Sequence, residues 1–174
     1  MEGTTMKLSL TSIAALIGLA AAPLLLTANS ASAQSLLPGM NGNYIGVGVS
    51  AGVSNDSNTG VGVQGRFDVP LAPVSVRGAA LFGGNSAALI PTVTYDAAIA
   101  PSTNLYVGGG YSFVTNEGRS TPLGDKNSPV LTAGVETGVL ENLVIFGDAK
   151  VGFDAFQGRN DAAVSLQVGA GLRF

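Results

Sequence analysis

From Ala162 to the last residue, Phe174, every second side chain is apolar. Phe174, Leu172, Ala170, Val168, Leu166, Val164 and Ala162 share one face, and Arg173, Gly171, Gly169, Gln167, Ser165 and Ala163 share the other. A period of two is that of a strand. This one is long enough to cross the apolar part of a bilayer, which takes about 9–11 tilted strand residues. The same alternation recurs upstream over 44–54, 60–68, 74–82, 88–98, 104–114, 129–139 and 143–154, with turn-rich pieces between. Eight strands are therefore expected, and no helix is needed after the N-terminal region.

The intervening pieces set the connections. Asn55-Asp56-Ser57-Asn58-Thr59, Gly83-Gly84-Asn85-Ser86, Thr115 to Ser128 and Gln157 to Asp161 alternate with shorter turns around Pro70 and Pro73, after Ala98, and at Glu141-Asn142. Pro91 interrupts the fourth strand; it has no N–H to give a ladder, so a bulge or irregularity is expected there.

Two faces follow from the period, and the charges say which one meets lipid. The face opposite the apolar one is mostly Gly, Ser, Ala and Thr, with Arg66, Arg77, Lys150 and Arg173 against Asp68, Asp96, Glu136 and Asp148. So sparse a set makes a poor outer wall for a soluble barrel. It suits a lumen, because a charge at the bilayer midplane would cost about 2–4 kcal/mol. Arg66, Arg77, Asp96, Glu136, Asp148, Lys150 and Arg173 are the expected lumen charge network, in which Asp148 and Lys150 on one strand, with Glu136 on its neighbour, are expected to form an ion-pair cluster that is either a gate or ion path, or a plug. A plug is favoured, because eight-stranded barrels are usually filled by side chains. In up-and-down order Phe67, Tyr95 and Phe174 fall at one rim and Phe82, Tyr111, Phe113 and Phe153 at the other, all on the apolar face. Two outward aromatic girdles are the membrane-barrel arrangement.

Composition supports this reading. Of 174 residues only 11% are charged and 46% are hydrophobic, with 25 glycines and a net charge of −3. That balance offers nucleic acid nothing. Cys and His are absent, which removes disulfides, Cys or His metal ligands and an imidazole base. At the N-terminus Lys7 precedes the apolar stretch Leu8 to Leu26, and Ala31-Ser32-Ala33 has the small-x-small form of a signal-peptidase site. Residues 1–33 are read as a cleavable signal peptide, with Met6 an alternative start, residues 34–42 as a short periplasmic segment and 43–174 as the barrel. Cleavage removes one cation, Lys7, and one anion, Glu2, so the charge stays at −3.

With the signal segment, Leu105-Tyr106-Val107-Gly108-Gly109-Gly110-Tyr111-Ser112-Phe113 and the ending Val168-Gly169-Ala170-Gly171-Leu172-Arg173-Phe174, residues 43–174 resemble the eight-stranded outer-membrane protein A/X-like and opacity-protein-like barrels. The resemblance implies a bacterial outer-membrane location, outer-membrane lipid as surroundings, and recognition of Phe174 by the barrel-assembly machinery. The periplasmic peptidoglycan-binding domain of the protein A type is not expected, because the chain ends at Phe174. The barrel hydrolases and acyltransferases of that membrane rely on a His, so no enzyme activity and no cofactor are expected. The expected role is a monomeric, structural protein of the envelope. The alternatives are a narrow pore, suggested by the inward glycines, and a surface adhesin acting through loop 115–128.

Three tempting motifs have plainer readings. Gly60-Val61-Gly62-Val63-Gln64-Gly65 fits a dinucleotide fingerprint but lies inside an alternating strand rather than before a helix. Asn55-Asp56-Ser57 fits a glycosylation acceptor but reads as a turn, and Asp56, Asn58, Asp125 and Asn127 lack calcium-loop spacing.

Overall fold

The computed structural model describes residues 39–54 and 58–174. The signal-peptide reading and the Asn55-Asp56-Ser57 turn lie outside the described residues. The strands are β1 (Tyr44–Gly52), β2 (Thr59–Asp68), β3 (Val74–Gly83), β4 (Ser86–Ala100), β5 (Thr103–Val114), β6 (Ser128–Gly138), β7 (Leu143–Gly152) and β8 (Ala163–Arg173). Each pairs antiparallel with its neighbour in sequence, and β1 pairs with β8 from Tyr44↔Arg173 to Gly52↔Ser165. The ring is closed, so no strand edge is left unpaired, which a bilayer requires of a spanning sheet.

Alternation builds the wall as the sequence implies. Val47, Val107 and Val168 point outward, and all seven girdle aromatics, Phe67, Phe82, Tyr95, Tyr111, Phe113, Phe153 and Phe174, are exposed. Every charged strand residue has the opposite parity. Both described ends of the barrel wall, together with three short turns, lie at one end, which we call the termini end; the longer connections lie at the other, the loop end.

Pro91 does not carry the expected bulge. It faces outward opposite Gly78, and the β4–β5 ladder passes from Leu89↔Phe113 to Thr92↔Gly110 without a change of register. The shift lies instead between Ala98 and Ala100, at the tight turn into β5. The ladder can skip the residues around Pro91 because pairing on either side holds the register.

Glycines let the sheet bend tightly enough to close. A Cβ on Gly108 would sit 2.0 Å from the Val93 carbonyl oxygen, and one on Gly48 would sit 2.3 Å from that of Val168. Both distances are far inside van der Waals contact, so the neighbouring backbone occupies the place of a side chain. Close approach of this kind accompanies strong local curvature in a sheet.

Candidate functional site

The lumen contains the chain's buried chemistry, stacked in tiers along the axis. Inward parity on β2, β3, β4 and β6 gathers Arg66, Arg77, Asp96 and Glu136. Arg77 reaches both oxygens of Glu136 through Nη1 and Nη2, at 2.7 and 3.0 Å, and Asp96 Oδ1 at 3.0 Å. Arg66 donates to Asp96 Oδ2 at 2.8 Å and lies 3.2 Å from Glu136 Oε1. Ser75 donates to the same Asp96 oxygen, and the Thr94 hydroxyl joins Arg77 to Asp96. Asp68 pairs with Arg66 at 3.0 Å from a more exposed position at the rim.

A second cluster lies beside the first; it holds Asp148 and Lys150 but not the expected Glu136, which the two arginines draw into the first cluster. Lys150 Nζ donates to Asp148 Oδ1 at 2.5 Å and to Gln167 Oε1 at 2.9 Å, while Tyr106 donates to Asp148 Oδ2 at 2.9 Å. The Tyr44 hydroxyl joins the clusters, accepting from Gln64 Nε2 at 3.0 Å and Arg77 Nη1 at 3.3 Å. The Arg77 guanidinium also lies 3.7 Å above the Tyr106 ring. Three buried cations, Arg66, Arg77 and Lys150, thus face three buried carboxylates, Asp96, Glu136 and Asp148. A buried ion pair is tolerable only when partners and hydrogen bonds compensate its lost hydration, as they do here. Arg173 is apart from both clusters. It lies at the termini rim, where its Nε donates to the Glu141 carbonyl at 2.7 Å.

Periodicity alone does not single out three rings that occupy the lumen: Tyr44, Tyr106 and Phe146, each almost fully buried. They cover inward glycines of β1, β6 and β8. A Cβ on Gly134 would meet Tyr106 Cζ at 2.5 Å, and one on Gly46 or Gly169 would meet Phe146 at 2.7 or 2.6 Å. Tyr44 and Phe146 stack with centroids 5.7 Å apart. Their parity is the available signal, since Tyr44 and Gly46 share a face, as do Tyr106 and Gly108.

Both ends of the lumen are closed by chain. At the termini end, residues 39–43 fold into the mouth rather than away from it. Met40 is buried against Tyr44, Val144 and Phe146. Its backbone N donates to Asn104 Oδ1 at 3.1 Å, and its carbonyl accepts from Asn104 Nδ2 at 2.6 Å. Arg66 Nη1 holds the Gly42 carbonyl at 2.7 Å. At the loop end, the 115–127 connection turns inward at Thr121–Gly124. Leu123 is fully buried in an apolar cluster with Leu81, Ile90, Val130 and Phe156. Asp125 N and Lys126 N both donate to the Ala155 carbonyl, at 2.9 and 3.1 Å, joining this connection to the one after β7.

The remaining motifs are structural. Gly60 to Gly65 lie on β2, which turns into β3 rather than a helix. Asp125 accepts from Gln157 N, Asn127 accepts from Val114 N, and Asn58 donates to the Ser120 carbonyl, so these groups fasten loops. Asp56 lies outside the described residues. Among the described residues no group of three acidic, His or Cys side chains is placed to hold a metal ion, and no helix is long and apolar enough to cross a membrane.

No protein-family model and no curated protein matches the sequence. Solved structures do match. The N-terminal barrel of Pseudomonas aeruginosa OprF is 12% identical, covers 78% of this chain and 98% of its own, and superposes with a TM-score of 0.56. Neisserial surface protein A is 14% identical, with 77% and 98% covered and a TM-score of 0.51. The Yersinia pestis outer membrane protein Ail in a phospholipid nanodisc is 19% identical, with 77% and 100% covered and a TM-score of 0.50. At such identities the likeness speaks for the backbone, and with the closed ring of eight antiparallel strands it shows that this chain has the fold of the small outer-membrane β-barrels.

Proposed function

We propose that this chain is an integral outer-membrane protein with a structural, non-enzymatic role in the bacterial envelope, and that its lumen is closed. The observation that carries the reading is the division of the wall. Apolar side chains, with Val47 67% exposed and Val168 54%, cover the outside, and every strand charge turns toward the axis. Water would penalise that exterior, whereas hydrocarbon would not. The termini end would face the periplasm and the loop end the exterior, as in barrels with short periplasmic turns.

Support for a closed lumen over a conducting one comes from what fills it. Of the inward glycines that suggested a pore, Gly46 and Gly134 lie beneath the rings of Phe146 and Tyr106, Gly48, Gly108 and Gly110 lie against neighbouring backbone, and the six lumen charges compensate one another. The adhesin alternative is left with the exposed stretch Asn116 to Arg119, since Thr121 to Gly124 are buried. We also read Phe174 as the signal to the assembly machinery, and the mature chain as starting at Gln34.

One set of measurements on cell membranes tests these readings. Unboiled protein from the outer-membrane fraction should migrate differently from boiled protein, have the mass of residues 34–174, and give no conductance steps in planar bilayers. Phe174→Ala should leave less of the folded band. Recovery of the protein in the soluble fraction would sink membrane integration, and reproducible unit conductance from pure protein would sink the closed lumen.

A further inference from the structure

On the inner wall, between the ion pairs and the apolar cluster at the loop end, several buried polar groups have no protein partner. Ser50, Ser112, Ser128 and Ser165 Oγ, Thr132 Oγ1 and Gln167 Nε2 make no hydrogen bond among the described residues. None of these side chains belongs to a residue more than 4% exposed. Buried polar atoms in native proteins are nearly always satisfied, by protein or by ordered water. Six such atoms along one wall call for a common explanation.

The register supplies it. Thr132, Lys150 and Ser165 lie directly opposite one another on β6, β7 and β8. One step away, Ser50 faces Gln167 across the β1–β8 seam, and Gln167 faces Asp148. Ser112 faces Ser128 across β5–β6. Facing residues have Cβ atoms about 4.5–5.5 Å apart. A water can bridge facing hydroxyls that do not bond each other. Glycines stand on the other sides of several of them: Gly52 opposite Ser165, Gly108 opposite Thr132, and Gly60 opposite Ser50. No side chain there can provide the missing partner.

We propose that this wall is a binding site for a string of ordered internal waters, held by the unpartnered groups of β5, β6, β8 and β1 beneath the loop-end cluster. The chemistry favours water over an ion. Lys150 is already matched by Asp148, so the wall holds no net charge to balance. Hydroxyls both donate and accept, as water does. The waters complete hydrogen bonding that the protein leaves open, and they lie between two mouths that the chain itself closes.

The test uses the full mature barrel in lipid nanodiscs, with water-to-protein NOE spectroscopy and reversible unfolding. Thr132→Val and Ser165→Ala remove one hydroxyl each with almost no change of shape. Water cross-peaks are expected at Thr132 and Ser165, and each variant should lose its cross-peak and lower the folded-to-unfolded ratio about five-fold, the scale of one satisfied hydrogen bond. The opposite result is equally clear. Removing a hydroxyl that has no partner relieves a penalty, so unchanged or raised stability in both variants, or a parent without cross-peaks, overturns the proposal. Stability that follows the identity of the salt, chloride against a bulky organic anion, also overturns it, in favour of a bound ion.

Discussion

Glu136 is fully buried and is the carboxylate on which both arginines converge. Removing it would leave Arg77 with Asp96 alone among the acidic groups and Arg66 without one of its partners, inside a wall that excludes bulk water. Breaking a buried pair from one side typically costs about 3–5 kcal/mol, because the orphaned charge keeps its desolvation penalty. Glu136→Ala should therefore lower the unfolding free energy in detergent or lipid by about that amount, read from urea titrations. Loss of less than ~1 kcal/mol would mean the lumen is wet enough to screen the arginines. At this scale the parity of the alternation is enough to put Glu136, Arg66, Arg77 and Asp96 on one inner face. It does not say that Arg173, on the same face, ends at a rim with a backbone carbonyl as its partner.

The glycines act at the scale of the strand. A side chain on Gly108 would collide with the Val93 carbonyl, whereas a Cβ on Gly78, on β3, would meet nothing within 4 Å. The pair makes a matched experiment. Gly108→Val should destabilise by about 3 kcal/mol, the upper range for overpacking, and diminish the heat-modifiable folded band. Gly78→Val should leave that band unchanged. Equal behaviour of the two would remove close strand approach as the reason for the glycines. Composition shows that glycine is abundant but not why, because curvature belongs to paired strands and to no single one. Pro91 teaches the same lesson: a local rule demands a bulge, and the neighbouring pairs carry the register through it.

At the scale of the molecule the decisive feature is closure at both ends. The chain has no cysteine, so a single introduced thiol reports on access without a background. Glu117→Cys, on the exposed part of the long connection, should react quickly with a membrane-impermeant maleimide. Leu123→Cys and Met40→Cys, within the two mouths, should react roughly tenfold or more slowly, as groups reached only through local opening do. Rapid labelling of Leu123→Cys would show that the loop end stands open in solution. Neither closure is legible in the sequence. The 34–42 segment reads as a periplasmic lead-in, and 115–128 reads as an outward loop, because polar residues and glycines mark a connection without saying where it turns.

The strands, their order, the outward apolar side and the inward charges follow from the sequence alone. Alternation is a property of consecutive residues, and charge sorts the two faces by solvation energy. Tertiary structure alone decided which charges meet, that Tyr44, Tyr106 and Phe146 lie over glycines, and that the mouths are filled by Met40 and Leu123. These depend on distances across the barrel between residues far apart in the chain, and such distances exist only once the first strand has closed on the last.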